Sequence, residues 1–303
     1  MMSARFLTVV LERAFNMRDG FGREIDYMRI SVIDSCNLNC YYCNPCDNNE
    51  HCHALNILSV KEVLCIVRAA TRLGIKHFRL TGGEPLLHPQ LDEMVLQIKK
   101  IPGVSSVSLT TNAVLLAQHA KWLKEAGIDS INVSLDTIDA SEYERITKKP
   151  LLEEVKHGIN AAIECGIRVK INVVLTPQTD VVALTRYVAK KGTDIRFIEM
   201  MPVGEGHTNG VEPYKKVIGT LSKLYGEPCR INTEKTKEIN SGNDKRKIPD
   251  NGPAEYYIFP ELGIRVGLIQ AIHGKFCDTC NRIRVTADGR LMPCLGSSVT
   301  MDL

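Results

Sequence analysis

The sequence of 303 residues predicts an α/β fold, because strands and helices alternate over its first two-thirds. Four helix-like stretches end at Gly74, Gly127, Gly166 and Gly192, and each runs directly into an apolar strand. Six strands in this pattern are too few for a closed eight-stranded barrel, so a partial (β/α)6 barrel or an open doubly wound sheet fits. In both arrangements we expect functional residues at the carboxyl ends of the strands.

The individual elements follow from local patterns. The six predicted strands span residues 28–33, 77–80, 104–109, 130–135, 169–175 and 195–200. The clearest helix spans residues 59–73, where Ser59 and Glu62 form a capping-box pattern and Val63 and Val67 fall on one face.

After about residue 210 the alternation stops and a smaller α+β extension begins. A helix is predicted at 212–225, a polar excursion at 232–253, and short strands at 255–259, 265–269 and 282–286. A hairpin turn is predicted at 287–290. We therefore divide the chain into an arm (1–20), a core (21–210) and a C-terminal extension (211–303).

Composition and charge exclude several classes of function. A net charge of +3 and 24% charged residues give no basis for a nucleic-acid or membrane partner. The sequence has no run of about 18 apolar residues, so no transmembrane helix is expected. Residues 1–16 lack the features of a secretion signal. We expect a cytoplasmic protein, in which clustered cysteines bind metal more often than they form disulfides.

Six of the eleven cysteines lie between Cys36 and Cys65, and the first three form a C-x3-C-x2-C motif after the first predicted strand. Cys36, Cys40 and Cys43 can hold three irons of a cubane cluster and leave the fourth iron without a protein ligand. The alternative is a structural zinc site, completed by Cys46, Cys52, His51 or His53.

A second trio, Cys277, Cys280 and Cys294, follows a C-x2-C-x13-C pattern. It is compatible with a zinc ribbon that lacks one ligand, or with a second cluster that has one free iron. Arg282 and Arg284 alternate between these cysteines and point to one face of a strand. Guanidinium groups suit phosphate oxygens, so this pattern indicates an anionic substrate.

Two sets of motifs identify a resemblance. The first cysteine motif together with Thr-Gly-Gly-Glu-Pro at residues 81–85 resembles the radical S-adenosylmethionine (radical SAM) superfamily. Cys-Asn-Arg-Ile-Arg at 280–284, followed by Thr-Ala-Asp-Gly and a third cysteine, resembles its GTP 3′,8-cyclase family, lyases that begin molybdenum cofactor biosynthesis. The likeness runs from about residue 21 to residue 303 and implies the partial (β/α)6 barrel, the radical SAM core.

The resemblance implies two [4Fe–4S] clusters, one on each cysteine trio, and S-adenosylmethionine. It assigns no catalytic residue beyond the cluster ligands. It places five residues around S-adenosylmethionine: Tyr42, Gly83, Thr111, Ser134 and Met201. For Thr111, Ser134 and Met201, ordinary packing at the barrel mouth is the alternative. It places six basic residues around GTP: Arg29, Arg79, Lys170, Arg196, Arg282 and Arg284.

In the implied reaction, a 5′-deoxyadenosyl radical removes hydrogen from C3′ of GTP, and the ribose radical attacks C8 to give 3′,8-cyclo-7,8-dihydro-GTP. The partners implied are GTP and a flavodoxin-type electron donor, and a homodimer is allowed. Asp136 and Glu199, at strand ends, either orient ligands or pair with the basic residues.

Two features depart from the family pattern. Family members continue into a Gly-Gly tail, whereas the sequence ends at Leu303, and His77 stands where the family tends to have a lysine. These departures leave two alternatives open: a radical SAM enzyme acting on another nucleotide or a peptide, and a catalytically silent protein that binds a nucleotide or an Fe–S cluster.

Overall fold

The structure is a computed structural model that describes residues 17–43, 56–201, 213–231, 252–297 and 299–303. Its helices are α1 (Val60–Arg72), α2 (Leu91–Lys99), α3 (Leu116–Glu125), α4 (Ala140–Thr147), α5 (Leu152–Glu164), α6 (Val181–Lys190) and α7 (Pro213–Tyr225). Its strands are β1 (Tyr27–Ser31), β2 (His77–Thr81), β3 (Ser106–Thr111), β4 (Ser130–Ser134), β5 (Val169–Val174), β6 (Asp194–Ile198), β7 (Cys229–Ile231), β8 (Glu255–Ile258), β9 (Arg265–Ile269), β10 (Arg282–Val285), β11 (Arg290–Met292) and β12 (Met301–Asp302).

The six predicted units form the centre of one sheet, in the order β12-β11-β10-β1-β2-β3-β4-β5-β6-β9-β8-β7. Strands β1 to β6 are parallel neighbours in chain order. Because that order never reverses, the arrangement is the partial barrel and not the doubly wound sheet. The predicted α/β fold is confirmed.

The C-terminal extension continues the same sheet at both edges. Strand β10 pairs in parallel with β1, and β9 pairs in parallel with β6. Strands β7, β8, β11 and β12 add antiparallel pairs outside them. The short strands β7 and β12 were not predicted, whereas the capping box of α1 is present: Glu62 N donates to Ser59 Oγ (3.3 Å), and Ser59 N donates to Glu62 Oε2 (2.7 Å).

Alternation along the central strands separates an apolar face from a polar one. In β2, for example, Phe78 and Leu80 are fully buried in the core beneath the helices. His77, Arg79 and Thr81 alternate with them and lie on the opposite, inner face. Within the part of the chain that the structure describes, no helix is both long and apolar enough to cross a membrane.

Candidate active site

The two cysteine trios lie at opposite ends of the same pair of strands. Cys36, Cys40 and Cys43 follow the carboxyl end of β1, whereas Cys277 and Cys280 precede the amino end of β10. Because β10 and β1 are parallel, the trios are separated by at least the length of β1, about 13 Å. The first trio thus follows the expectation for the core strands, whereas the second trio lies at the opposite end of the barrel.

Backbone contacts fix the path of the first cysteine loop. Asn39 N donates to Thr147 O at 3.0 Å and Tyr41 N donates to Ile146 O at 3.1 Å, which ties the loop to the end of α4. Cys43 N donates to Cys40 O at 3.0 Å and closes a turn. The protein's own backbone hydrogen bonds therefore fix the conformation of this loop.

The Gly-Gly-Glu-Pro stretch packs directly against the backbone that leads into Cys36. Gly83 N donates to Ile33 O at 2.8 Å, and Glu84 N donates to Ser35 O at 2.8 Å. A Cβ atom at Gly83 would lie 2.2 Å from Ser35 O, which no side chain can occupy. Glycine is therefore required here for a close backbone approach, and this approach sets where the first trio begins.

The glutamate of this stretch, Glu84, is buried and accepts several hydrogen bonds, a role that the sequence analysis did not predict. The carboxylate of Glu84 accepts hydrogen bonds from Thr111 Oγ1 (2.6 Å), Asn112 N (2.7 Å) and Leu86 N (3.0 Å). Burial raises the pKa of Glu84, while these three bonds oppose the shift. Thr111, predicted to lie around S-adenosylmethionine, is buried and holds the end of β3 against the motif.

Among the residues that the structure describes, Asp136 pairs with a tyrosine. The hydroxyl of Tyr42 donates to one oxygen of Asp136, and Val174 N donates to the other at 2.7 Å. Burial raises the pKa of Asp136 to about 6, against these two hydrogen bonds. Asp136 therefore fixes the Tyr42 ring beside the first trio. Glu199, by contrast, pairs with the His273 ring, and its carboxylate accepts a hydrogen bond from Ile272 N at 2.8 Å.

The other two residues predicted around S-adenosylmethionine are also near the carboxyl ends of the strands. Ser134 is exposed at the last position of β4, and Met201 is partly exposed three residues beyond β6. Both lie at the end of the barrel where the first trio begins.

The surroundings of the first trio disfavour bare thiolates. All three thiols are free. Burial raises the pKa of Cys40 to about 12, and the negative charges of Asp136, Cys43 and Cys36 add to that shift. Burial raises the pKa of Cys36 as well, with a contribution from Glu84. A compensating positive charge would favour the thiolate form here, and the cationic iron–sulfide core of a cluster provides one.

The zinc alternative finds no support in the ranges that the structure describes. Within those ranges, no three Cys, His, Asp or Glu side chains converge on a point where one metal ion would bind. A cubane has no such requirement, because its thiolates bind different irons. Cys46, Cys52, His51 and His53, the fourth ligands proposed for zinc, lie outside the described residues.

The second trio lies in basic surroundings. Cys277 begins a 3-10 turn, Cys277–Thr279, and Cys280 N donates to Cys277 O at 3.2 Å. Burial lowers the pKa of Arg284, as does Arg282, whereas the thiolates of Cys294 and Cys280 oppose that shift. Strand β11 pairs antiparallel with β10, with Met292 opposite Arg284, so the chain leads Cys294 towards the amino end of β10, which Cys280 precedes.

The six basic residues predicted to bind GTP share the inner face of the barrel. In the strand register, Arg29 stands between Arg284 of β10 and Arg79 of β2. Lys170 and Arg196 are buried on β5 and β6, at 5% exposure each, although both are charged side chains. Alternation with core residues places all six on this face: Arg29, Arg79, Lys170, Arg196, Arg282 and Arg284.

Arg29 is the most constrained of these cations. Its pKa is lowered by burial, then by the like charge of Arg284, with smaller contributions from Arg79 and Arg282. Its Nε atom is buried and has no hydrogen-bond acceptor among the described residues. A buried donor without a partner costs about 1–3 kcal/mol, so an anion at this position would relieve both the charge repulsion and the missing bond.

Sequence analysis missed aromatic and glycine residues that contact the basic residues of this inner face. The hydroxyl of Tyr27 accepts a hydrogen bond from Arg79. Tyr256 presents its ring to Lys170, whose Nζ lies 5.8 Å from the ring centroid. A Cβ at Gly267 would lie 2.7 Å from Arg196 Cγ and 2.9 Å from Tyr256 Cε1. The register between β8, β9 and β6, which no local pattern specifies, brings these residues together.

Comparisons with known proteins agree with this architecture. Residues 30–184 match the family model "Radical SAM superfamily", and residues 193–303 match "Molybdenum Cofactor Synthesis C". A GTP 3′,8-cyclase of Clostridium perfringens (strain SM101 / Type A) is 37% identical over 282 residues, which cover 92% of this chain and 83% of the relative. One of Pelotomaculum thermopropionicum (strain DSM 13744 / JCM 10971 / SI) is 38% identical over 294 residues, which cover 95% and 86%.

Among solved structures, the fold resembles Streptococcus suis SuiB bound to precursor peptide SuiA, with a TM-score of 0.67 and 14% sequence identity. The match covers 98% of this chain and 65% of SuiB, so the chain spans just under two thirds of that protein. This likeness concerns the fold alone.

Proposed function

This chain belongs to the GTP 3′,8-cyclase family of the radical SAM superfamily, and we propose that it converts GTP to 3′,8-cyclo-7,8-dihydro-GTP in molybdenum cofactor biosynthesis. One observation carries the proposal: six basic side chains share the inner face of the barrel, and two trios of free thiols lie beyond opposite ends of its strands. We refer to this basic inner face as the channel. The channel offers an anionic substrate a place between two metal-binding ends.

Cys36, Cys40 and Cys43 would hold the first [4Fe–4S] cluster, because three soft thiolates in a partly buried loop suit iron and leave one coordination position open. When bound, that cluster supplies the electron that cleaves S-adenosylmethionine at its sulfur–C5′ bond. Gly83 admits a close backbone approach, and Asp136 holds the Tyr42 ring at the same end of the barrel. With Thr111, Ser134 and Met201, these residues would orient S-adenosylmethionine.

The basic residues of the channel would bind the triphosphate of GTP. A triphosphate carries roughly four negative charges, which suits several cations that converge on one cavity. Arg29 offers a buried donor without an acceptor, and Lys170 and Arg196 lie on the far side of the same face. Because these groups are already fixed in the barrel, they would orient the ribose toward the first trio.

Cys277, Cys280 and Cys294 would hold a second cluster at the other end of the channel. Three free thiols beside Arg284 suit a cluster, because the cluster together with its thiolate ligands carries a net negative charge that a guanidinium group stabilises. At this position the second cluster would anchor the guanine end of GTP, and the channel would hold the triphosphate. Two fixed ends restrict the motion of the substrate, which is a proximity effect.

The remaining components of the proposal follow from the chemistry. Cleavage of S-adenosylmethionine consumes one electron, so we propose a low-potential donor such as a flavodoxin-type reductant. Nine cysteines among the described residues are free, which favours a reducing compartment such as the cytoplasm. The homodimer stays a prediction.

The decisive experiment is an anaerobic assay of the full chain with reconstituted iron and sulfide, S-adenosylmethionine, dithionite and GTP. The proposal expects 5′-deoxyadenosine and the cyclised nucleotide in equal amounts, and about eight irons per chain. Formation of 5′-deoxyadenosine without any change in GTP would overturn the cyclase and leave a radical SAM enzyme with another substrate. Binding of GTP with neither product would indicate a silent binding protein.

A further inference from the structure

Residues 19–23 form a tight turn that one carboxylate organises. Asp19 Oδ1 accepts hydrogen bonds from the backbone nitrogens of Phe21 (2.9 Å) and Arg23 (3.0 Å). Asp19 Oδ2 accepts from Arg23 Nε at 2.6 Å, and Arg23 Nη2 lies 2.5 Å from the same oxygen. Gly22 has φ +78°, a left-handed conformation that side chains disfavour. The turn therefore fixes the orientation of the Arg23 guanidinium group.

The remaining nitrogen of that guanidinium reaches the second trio. Arg23 Nη1 donates to Cys277 O at 2.8 Å, a contact between residues 254 positions apart. The same carbonyl accepts the backbone hydrogen bond of Cys280. On the other side of this turn, Asn281 Nδ2 donates to Asp26 Oδ1 at 2.5 Å. The segment before β1 therefore contacts the Cys277–Cys280 turn at both of its ends, through Arg23 at Cys277 and through Asp26 at Asn281.

We propose that Arg23 is a positioning residue for the second cluster: it bridges Asp19 and Cys277 and holds the Cys277–Cys280 turn in the geometry that presents both thiolates. The inference rests on the second cluster of the proposed function. A guanidinium suits this task because its donors are fixed in a plane, so it can bond two partners at set angles, whereas a lysine ammonium is a flexible point charge.

Two consequences follow for a bound cluster. Groups that bond to metal-ligand residues from outside typically change metal affinity about 10- to 100-fold. A positive charge beside a cluster also favours its reduced, more negative state, and therefore raises its reduction potential. The lysine variant separates these effects, because it retains the charge and loses the two-partner geometry.

The test compares Arg23→Gln and Arg23→Lys with wild type, as full chains reconstituted anaerobically. Arg18→Gln is the matched control, because Arg18 lies on the same segment and pairs with exposed Glu24 at 2.9 Å. Wild type and the control should retain the second cluster against a chelator, while both Arg23 variants should lose it about 10-fold faster. The reduction potential of the second cluster should be lower in Arg23→Gln than in Arg23→Lys.

Hydrogen exchange separates this inference from the function on which it rests. Arg23→Gln should accelerate exchange of the Thr279 and Cys280 amides, and Arg18→Gln should not. If wild type holds about four irons and not eight, the second cluster and the proposed function fail. Faster amide exchange in Arg23→Gln would then still show that Arg23 stabilises the Cys277–Cys280 turn. Unchanged exchange and unchanged chelation in both Arg23 variants would overturn the inference.

Discussion

The two cysteine trios offer the same ligands in opposite electrostatic surroundings. At the first trio, buried carboxylates are the nearest charges: Asp136 raises the pKa of Cys40 and Glu84 raises that of Cys36, after the larger effect of burial. At the second trio two guanidinium groups interact with the cysteines: Arg23 bonds the carbonyl of Cys277, and Arg284 interacts with the charges of Cys294 and Cys280. The two trios therefore present the same three thiols to metal but differ in the charge of their surroundings, which favours different roles.

The difference matches the charges of the two substrates. S-adenosylmethionine carries a sulfonium cation, which buried carboxylates tolerate, whereas the triphosphate of GTP requires cations. At the first end, the bound cluster must bring the positive charge that its thiolates need. At the second end, the protein itself provides positive charge, which in the proposed function would stabilise both the thiolates and the nucleotide. The comparison predicts that substitutions at the two ends fail in different ways.

Removing one thiol from each end should give the largest and clearest contrast. Cys40→Ala should abolish cleavage of S-adenosylmethionine, because that cluster supplies the electron. Cys280→Ala should abolish cyclisation and retain uncoupled formation of 5′-deoxyadenosine. Both products are measured by chromatography after anaerobic incubation. Loss of 5′-deoxyadenosine in both variants would contradict the assignment of S-adenosylmethionine cleavage to the first trio alone.

The next largest effect is expected from a single methyl group at the first end. In Gly83→Ala, the new Cβ would lie 2.2 Å from Ser35 O, so the backbone before Cys36 must move. A displacement of about 1 Å at a reacting centre can lower the rate about 100-fold. The measurement is the rate of 5′-deoxyadenosine formation.

Gly219→Ala in α7 is the control for that change, because nothing lies within 4 Å of its Cβ position. There alanine should add up to about 1 kcal/mol of helix stability and leave the rate unchanged. A Gly83→Ala enzyme with the wild-type rate would show that the close approach does not position the first trio.

The two ends also differ in how far the sequence predicted them. The first trio could be placed from local signals alone: an apolar strand, a contiguous motif and the glycines at residues 82–83. The second could not, because its location depends on β10 joining β1 in parallel. No pattern within 277–294 specifies that partner, so the sequence alone did not predict at which end of the strands the second trio lies.

The same distinction applies to individual side chains. Alternation predicted that Arg282 and Arg284 share a face, and the structure confirms it. The bond from Arg23 to Cys277 and the packing of Tyr256 against Gly267 join segments that sequence patterns treat separately. Local periodicity reports which face a residue occupies, whereas its neighbours across the sheet depend on the whole topology.

A smaller effect is expected from the cations at the second end. Arg284→Gln should raise the KM for GTP about 10- to 100-fold, because a hydrogen bond to a charged group contributes about 1.5–3 kcal/mol. Arg290→Gln is the control, since Arg290 is exposed and pairs with Asp288 and Asp302. The KM for S-adenosylmethionine should not change in either variant. Equal KM values for GTP in both would remove Arg284 from the binding site.

The smallest effect is expected at His77, at the amino end of β2 near the second trio. Its ring stacks on Tyr27, with centroids 6.4 Å apart, and its Nδ1 lies 2.8 Å from Ser106 Oγ. Burial lowers the pKa of His77, and Lys76 lowers it further, against the opposing charges of Asp26 and Asp129. Since its ordinary pKa is about 6.5, His77 is neutral at pH 8 and adds no cation to the channel.

Acid should therefore strengthen GTP binding through this residue. As pH falls from 8 towards 6, a growing fraction of His77 becomes cationic, and a bound triphosphate favours that form. The KM for GTP should fall a few-fold over this range in wild type and less in His77→Gln, which also corrects for titration of GTP itself. His77→Lys should show the low KM already at pH 8. If the three proteins share one pH profile, the neutral His77 does not limit the positive charge that GTP meets.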